Sequence, residues 1–144
     1  MNIGLLGPAA ALCFAAMGSA FGTGIAAQAA VGAWKKRFIN DSTAPFMMVA
    51  FSGAPLTQTI YGYLLMNFIN TAAANGVDAM ILLGAGLFGG LAMGASSLMQ
   101  GKTAAAASDA LGATGKGTAN YFIVIGIVET VALFVMVFLM LTLQ

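Results

Sequence analysis

Residues 121–143 read YFIVIGIVETVALFVMVFLMLTL, and Glu129 near the middle is the single charge among these twenty-three residues. A helix of about 20 apolar residues is long enough to cross the ~30 Å hydrocarbon core of a bilayer. A carboxylate at mid-bilayer depth costs several kcal/mol, about 2.5–3.5 on insertion scales, unless it binds a partner or takes up a proton. The stretch therefore predicts a transmembrane helix whose centre carries a functional carboxylate.

The composition of the whole chain agrees with a membrane protein. Of its 144 residues, 60% are apolar and 6% are charged, whereas a soluble domain carries about 25% charged residues. The net charge of +1 provides no basic field for nucleic acid. One cysteine excludes an internal disulfide, and the lack of histidine excludes a His-based zinc site or a His base. The first apolar stretch lacks a basic n-region and exceeds signal-peptide length, so we expect a retained helix in the cell membrane.

Three further apolar segments precede the opening stretch, at residues 3–34, 46–73 and from 79 to a turn at 112–117. The chain is therefore predicted to be all-α, with four transmembrane helices. Both connections that carry Lys or Arg lie on one side, which the positive-inside rule makes cytoplasmic, with both termini outside. The first of these loops contains Lys35, Lys36 and Arg37. It is either a topology anchor or also a docking surface for a soluble partner.

Small residues recur every four positions in the first and third helices, a pattern that lets helix backbones approach closely. They are Gly18, Gly22, Ala26 and Ala30, then Gly86, Gly90 and Gly94. Two interpretations remain open here: ordinary packing within one chain, or a tight ring of many subunits.

The two halves of the chain resemble each other weakly. Gly22 and Gln28 match Gly94 and Gln100 at an offset of 72 residues, and Gln58 matches Glu129 at an offset of 71. This predicts two duplicated helical hairpins, residues 1–76 and 77–144, the second of which carries the carboxylate.

Three polar side chains on three helices are predicted to share one depth. At 1.5 Å per residue, Glu129, Gln58 and Gln100 lie about 18–20 Å from the cytoplasmic turns. Thr57 and Tyr61 share the helix face of Gln58 by their spacing. Hard cations prefer oxygen ligands of this kind, a rule that we extend to Na⁺ by analogy. A proton would need only the carboxyl and one acceptor, and hydrogen bonding between helices alone is the remaining alternative.

Three local motifs carry a resemblance to a known family: Pro55-x-Thr57-Gln58-x-x-Tyr61, Gln100-Gly101-Lys102 and Val128-Glu129-x-x-Ala132. With the two hairpins and the basic first loop, the chain resembles the membrane-rotor proteolipid (the K or c component) of bacterial V-type (V/A-type) ATPases. The resemblance implies a closed homo-oligomeric ring that carries Na⁺, or H⁺, through the membrane on Glu129. It implies Na⁺ ligation by Glu129, Gln100, Gln58, Thr57 and the backbone carbonyl of Ala54, with Tyr61 closing the site.

The resemblance also implies the partners of the chain. These are identical subunits, a stator membrane subunit, the lipid bilayer and the central-stalk subunits of a soluble ATPase head, contacted by Lys35, Lys36 and Arg37. The chain itself is expected to be non-catalytic and to need no cofactor, since it has no ATP site. Two rivals to a rotor ring remain: a small four-helix secondary transporter and a non-transporting scaffold.

Overall fold

The computed structural model describes residues 3–144, which are helical almost throughout and contain no strand. The all-α fold predicted from the sequence is confirmed. The elements in chain order are a 3₁₀ turn at Ile3–Leu5, α1 (Leu6–Ile39), α2 (Met48–Gly53), a second 3₁₀ turn at Ala54–Leu56, α3 (Thr57–Ala74), α4 (Ala79–Thr114) and α5 (Thr118–Thr142).

Three of the helical segments are long and apolar enough to cross a membrane: Ile3–Ile39, Ala79–Thr114 and Thr118–Thr142. The predicted second span is divided, because the 3₁₀ turn at Ala54–Leu56 separates α2 from α3. Pro55 lies in this turn, where it lacks an N–H and crowds the carbonyl four residues earlier. The four predicted spans are therefore three uninterrupted helices and one that is interrupted after its first six helical residues.

The basic residues after the first span lie within α1, which corrects the predicted loop. The helix was expected to end at residue 34 but continues to Ile39, with Lys36 and Arg37 in its last turn. Cations near a helix C-terminus interact favourably with its dipole, so these residues prolong the helix. The Trp34 indole N–H donates to the carbonyl of Pro45 at 2.9 Å and holds the connection, residues 40–47, against the helix end.

Helices α1 and α4 run parallel and touch backbone to backbone. A Cβ at Gly86 would clash with the carbonyl of Gly7, and one at Gly101 would clash with the carbonyl of Gly22. Only glycine allows such an approach, which explains the four-residue spacing of small residues. Both pairs are 79 residues apart in the chain.

These contacts set the approximate level of α1 against α4. Gly22 meets both Ser97 and Gly101, and Gly18 meets Gly94, so Phe21 lies within about one helical turn of the level of Gln100. The match of Gly22 and Gln28 to Gly94 and Gln100 is a resemblance between two stretches of sequence, and it stays a prediction. The division into hairpins at residue 76 stays a prediction.

The remaining helices pack around this pair. α3 lies against α1, α5 lies against α4, and α3 also contacts α4 and α5, whereas within the described part of the chain α1 and α5 scarcely touch. Phe51 of α2 packs edge-on against Phe122 of α5, with ring centroids 4.8 Å apart. The polar residues predicted to share one depth thus lie where α3, α4 and α5 meet.

Candidate ion-binding site

The first residues of the site lie at the break in the second span, the 3₁₀ turn Ala54–Leu56. Pro55 is buried in the 3₁₀ turn, and its carbonyl accepts a 2.7 Å hydrogen bond from the Ser97 hydroxyl of α4. The Thr57 hydroxyl donates to the carbonyl of Ala54 at 3.0 Å. Backbone groups freed at membrane depth must find partners inside the protein, and these two hydroxyls supply them. The turn therefore brings the Ala54 carbonyl, Thr57 and Gln58 together.

Two fully buried amides link α3 to α4. The Gln58 and Gln100 side chains are each 0% exposed, and the Gln58 amide N–H donates to Gln100 Oε1 at 2.8 Å. The Thr57 hydroxyl lies 3.3 Å from Gln58 Oε1. Since a buried amide without a partner costs about 1–3 kcal/mol, this pairing specifies how the two helices meet.

The carboxylate of Glu129 receives one hydrogen bond from each neighbouring helix. The Tyr61 hydroxyl of α3 donates to Oε1 at 2.8 Å, and the Gln100 amide of α4 donates to Oε2 at 3.1 Å. The same Gln100 amide nitrogen also donates to the carbonyl of Ile125 at 3.2 Å. Hydrogen bonds to an ionised group are about twice as strong as neutral ones. The half-buried carboxylate is therefore held in one orientation.

The predicted site residues form one continuous chain of hydrogen bonds across three helices: Thr57, Gln58, Gln100, Glu129 and Tyr61, with the Ala54 carbonyl at its start. The structure thus brings these six groups together at one level of the fold. Their roles as ion ligands, and the role of Tyr61 in closing the site, stay predictions.

The site contains a single carboxylate. Within residues 3–144, no group of three or more His, Cys, Asp or Glu side chains is placed to hold a metal ion. One carboxylate neutralises one positive charge, and the surrounding oxygens of amides, hydroxyls and a carbonyl add none. This chemistry fits a monovalent cation or a proton.

Residues 83–142 match the family model of the ATP synthase C subunit. The match supports the rotor-ring family of rotary ATPases. It spans the hairpin formed by α4 and α5, which holds Gln100 and Glu129. A search of curated proteins gave no match. The C-subunit family consists of non-catalytic membrane proteolipids that translocate ions in homo-oligomeric rings of helical hairpins, so the match supports an ion-translocating rotor protein.

Sequence reasoning missed two serines of α4, Ser96 and Ser97, which hydrogen-bond to backbone carbonyls beside the site. Ser97 holds the Pro55 carbonyl, and Ser96 donates to the carbonyl of Val128, the residue before Glu129, at 3.0 Å. Their positions three and four residues before Gln100 were a readable signal, because that spacing places side chains on one helix face. The packing interpretation considered only the glycines and alanines of these helices and did not mention the serines.

The basic residues lie at the far end of α1, away from Glu129. Lys36 forms an exposed 3.4 Å ion pair with Asp109 of α4, and Arg37 Nη2 reaches the carbonyl of Leu111, near the end of α4. Lys36, Arg37 and Asp109 contribute to the lining of a cavity of about 210 Å³ between the ends of the two helices. Contact of Lys35, Lys36 and Arg37 with a stalk stays a prediction.

Proposed function

We propose that the chain is the rotor-ring subunit of a V-type rotary ATPase and carries Na⁺ across the membrane on Glu129 as the ring turns. The observation behind this is the hydrogen-bonded chain that links one half-buried carboxylate to two amides, two hydroxyls and a backbone carbonyl. The C-subunit match to α4 and α5 agrees with it.

The chemistry of transport follows from charge. An ionised Glu129 facing lipid costs several kcal/mol, and a bound cation removes that cost by neutralising it. Thr57, Gln58 and the Ala54 carbonyl offer oxygens on one side, and the Gln100 amide offers its oxygen after a rotation about its terminal bond. Tyr61 keeps the carboxylate oriented toward this cluster. A loaded protomer can then pass the lipid, whereas an unloaded one cannot.

Release and reloading require the partners of the ring. A stator membrane subunit with a water-accessible half channel and a fixed positive charge draws the cation from Glu129 and admits the next. ATP hydrolysis takes place on the soluble head, and the central stalk transmits rotation to the cytoplasmic ends, where Lys35, Lys36 and Arg37 contact it. The chain is a multi-pass protein of the cell membrane with both termini outside. Neither ATP nor a cofactor binds to it.

Carbodiimide labelling tests the cation. A carbodiimide reacts with a protonated carboxyl, and bound Na⁺ excludes that proton. We expect Na⁺ to slow labelling of Glu129 at least ten-fold at fixed pH, with the modified residue located by peptide mass spectrometry. Choline at equal ionic strength is the control salt. Equal labelling rates in Na⁺ and choline would contradict Na⁺ carriage.

A proton-carrying ring of the same type is the second candidate. It is favoured by one observation: the Tyr61 hydroxyl lies 2.8 Å from Glu129 Oε1, and a tyrosine hydroxyl can accept a hydrogen bond as well as donate one. A carboxyl in such a site needs only one acceptor to hold a proton. Labelling that falls with rising pH and ignores Na⁺ would support this candidate.

A small four-helix secondary transporter is the third candidate, since it too would carry one membrane carboxylate. Native mass spectrometry of the detergent-extracted protein separates it from a ring. A rotor protein is expected to remain a large closed homo-oligomer, whereas a transporter would appear as a monomer or dimer.

A further inference from the structure

Phe21 lies at the level of the ion site without taking part in it. Its neighbour Gly22 packs against Gly101, and the residue before Gly101 is Gln100, which hydrogen-bonds to Glu129. The aromatic side chain is nevertheless 61% exposed. A large apolar side chain therefore projects from α1 at the depth of Glu129, away from the helices that hold the carboxylate.

The packing sets the approximate levels of the two hairpins. Gly22 meets both Ser97 and Gly101, which relates α1 to α4 at offsets of 75 to 79. Phe51 meets Phe122, which relates the second span to α5 at an offset of 71. By the first relation Phe21 lies within about one turn of the level of Gln100, and by the second Gln58 lies level with Glu129.

Within one chain, the junction between hairpins is formed by α3 and α4. There Gln100 of the second hairpin contacts Gln58 of the first at 2.8 Å. In a ring the same kind of junction recurs between copies, with α5 of one copy beside α1 of the next. The contact equivalent to Gln58 with Gln100 is then Glu129 with Phe21 of the next copy.

Apolar residues replace the polar ones at this second junction. Phe21 lies near the level that Gln100 has within the chain, and Val128 and Ala132 lie 71 residues after Thr57 and Tyr61. A cation at this place would have one carboxylate and few other oxygens. The junction between copies is therefore apolar, and it lacks the oxygen ligands for a second cation site.

The exposed face of α5 has room for an aromatic ring. Gly126 lies one turn before Glu129, and outside its own stretch of α5 no heavy atom of residues 3–144 comes within 4 Å of where its Cβ would be. A glycine inside a helix costs about 1 kcal/mol relative to alanine, and no contact within residues 3–144 accounts for it. Ile123 and Ile127, on either side of it, are each 61% exposed.

We propose that Phe21 of the next copy packs over Gly126 of the first copy and covers the free flank of that first copy's Glu129. The inference rests on the proposed ring and assigns the contact that closes it at the depth of the ion. Each chain then provides one cation site, on the flank that faces its own α3 and α4. The opposite flank of the carboxylate is closed to water by the aromatic ring.

Disulfide cross-linking in membranes tests this contact. Cys13 is first replaced by alanine, and Phe21→Cys is combined with Gly126→Cys. Oxidation by copper phenanthroline is expected to give a ladder of covalent multimers, with at least ten-fold more dimer than either single variant. The matched control is Phe21→Cys with Phe138→Cys, since Phe138 is also an exposed aromatic position of α5 but lies about 18 Å further along the helix.

The outcomes distinguish failure of the inferred contact from failure of the proposed ring. Native mass of the reduced variants shows whether a ring forms; a monomer would overturn the proposed function and the inference together. A ring without cross-links, or with as many in the Phe138→Cys control, would overturn the inference alone. Where Gly126→Cys blocks assembly, Ile123→Cys on the same face takes its place, and absence of multimers in that assembled pair would equally reject the contact.

Discussion

Gly22 and Gly101 pack so closely that a Cβ on Gly101 would clash with the Gly22 carbonyl. This contact sets the height of α1 against α4, and with it the depth of Gln100. Because Gln100 hydrogen-bonds to both Gln58 and Glu129, the glycine contact and the ion site depend on each other.

Replacement of Gly22 by alanine is expected to destabilise the fold. The added methyl would clash with the Ser97 carbonyl oxygen and crowd Pro55, and overpacking of this kind costs about 1–3 kcal/mol. Thermal unfolding in detergent, followed by circular dichroism, measures the effect. Gly32→Ala is the control on the same helix, since within the described residues no heavy atom lies within 4 Å of that position. Equal melting temperatures for the two variants would contradict the assigned contact.

Glu129→Gln is expected to abolish ion transport and to leave the oligomer assembled. The amide keeps the size of the side chain but cannot become a negative charge, so it cannot bind and release a cation. ATP-driven ²²Na⁺ uptake into vesicles of the intact complex measures transport, and native mass measures assembly. Asp109→Asn, which removes an exposed carboxylate, is the control and should retain uptake. Retained uptake in Glu129→Gln would refute the role of this carboxylate.

Tyr61→Phe is expected to weaken Na⁺ binding about 10- to 100-fold. The substitution removes the 2.8 Å hydrogen bond to Glu129 Oε1, and hydrogen bonds to charged groups contribute about 1.5–3 kcal/mol. The Na⁺ concentration that halves carbodiimide labelling measures the change. Tyr63→Phe is the matched control, because Tyr63 is 51% exposed and its hydroxyl makes no hydrogen bond within residues 3–144. A Tyr61→Phe protein with an unchanged midpoint would show that closure does not depend on this hydroxyl.

Thr57→Val is expected to raise the Na⁺ concentration needed for protection about ten-fold, while Thr57→Ser stays near the parent. Valine keeps the shape of threonine but removes the hydroxyl that bridges the Ala54 carbonyl and Gln58 Oε1. The same labelling assay measures the midpoint. Thr59→Val, two residues along α3, is the control and should leave it unchanged. Equal midpoints for Thr57→Val and Thr57→Ser would remove Thr57 from the set of ion ligands.

Much of the candidate site was readable from the chain. The cost of a mid-membrane charge singled out Glu129, and helical rise placed Gln58 and Gln100 near its depth. The hydrogen bonds between these three residues agree with that count. Ser96 and Ser97 escaped notice, because a serine on a glycine-rich helix serves equally well as a small packing residue, and only a neighbouring carbonyl gives it a partner.

The sequence by itself determined the all-α membrane fold and the residue at its centre, because apolar length and the cost of burying a charge act locally along the chain. Only the tertiary structure decided the register of α1 on α4, which places Phe21 within about one turn of the level of Gln100. It alone also showed that the second span breaks at Pro55 and that Lys35, Lys36 and Arg37 belong to α1. The register depends on which backbones meet, and close contact between glycines is a property of two surfaces that no single segment encodes.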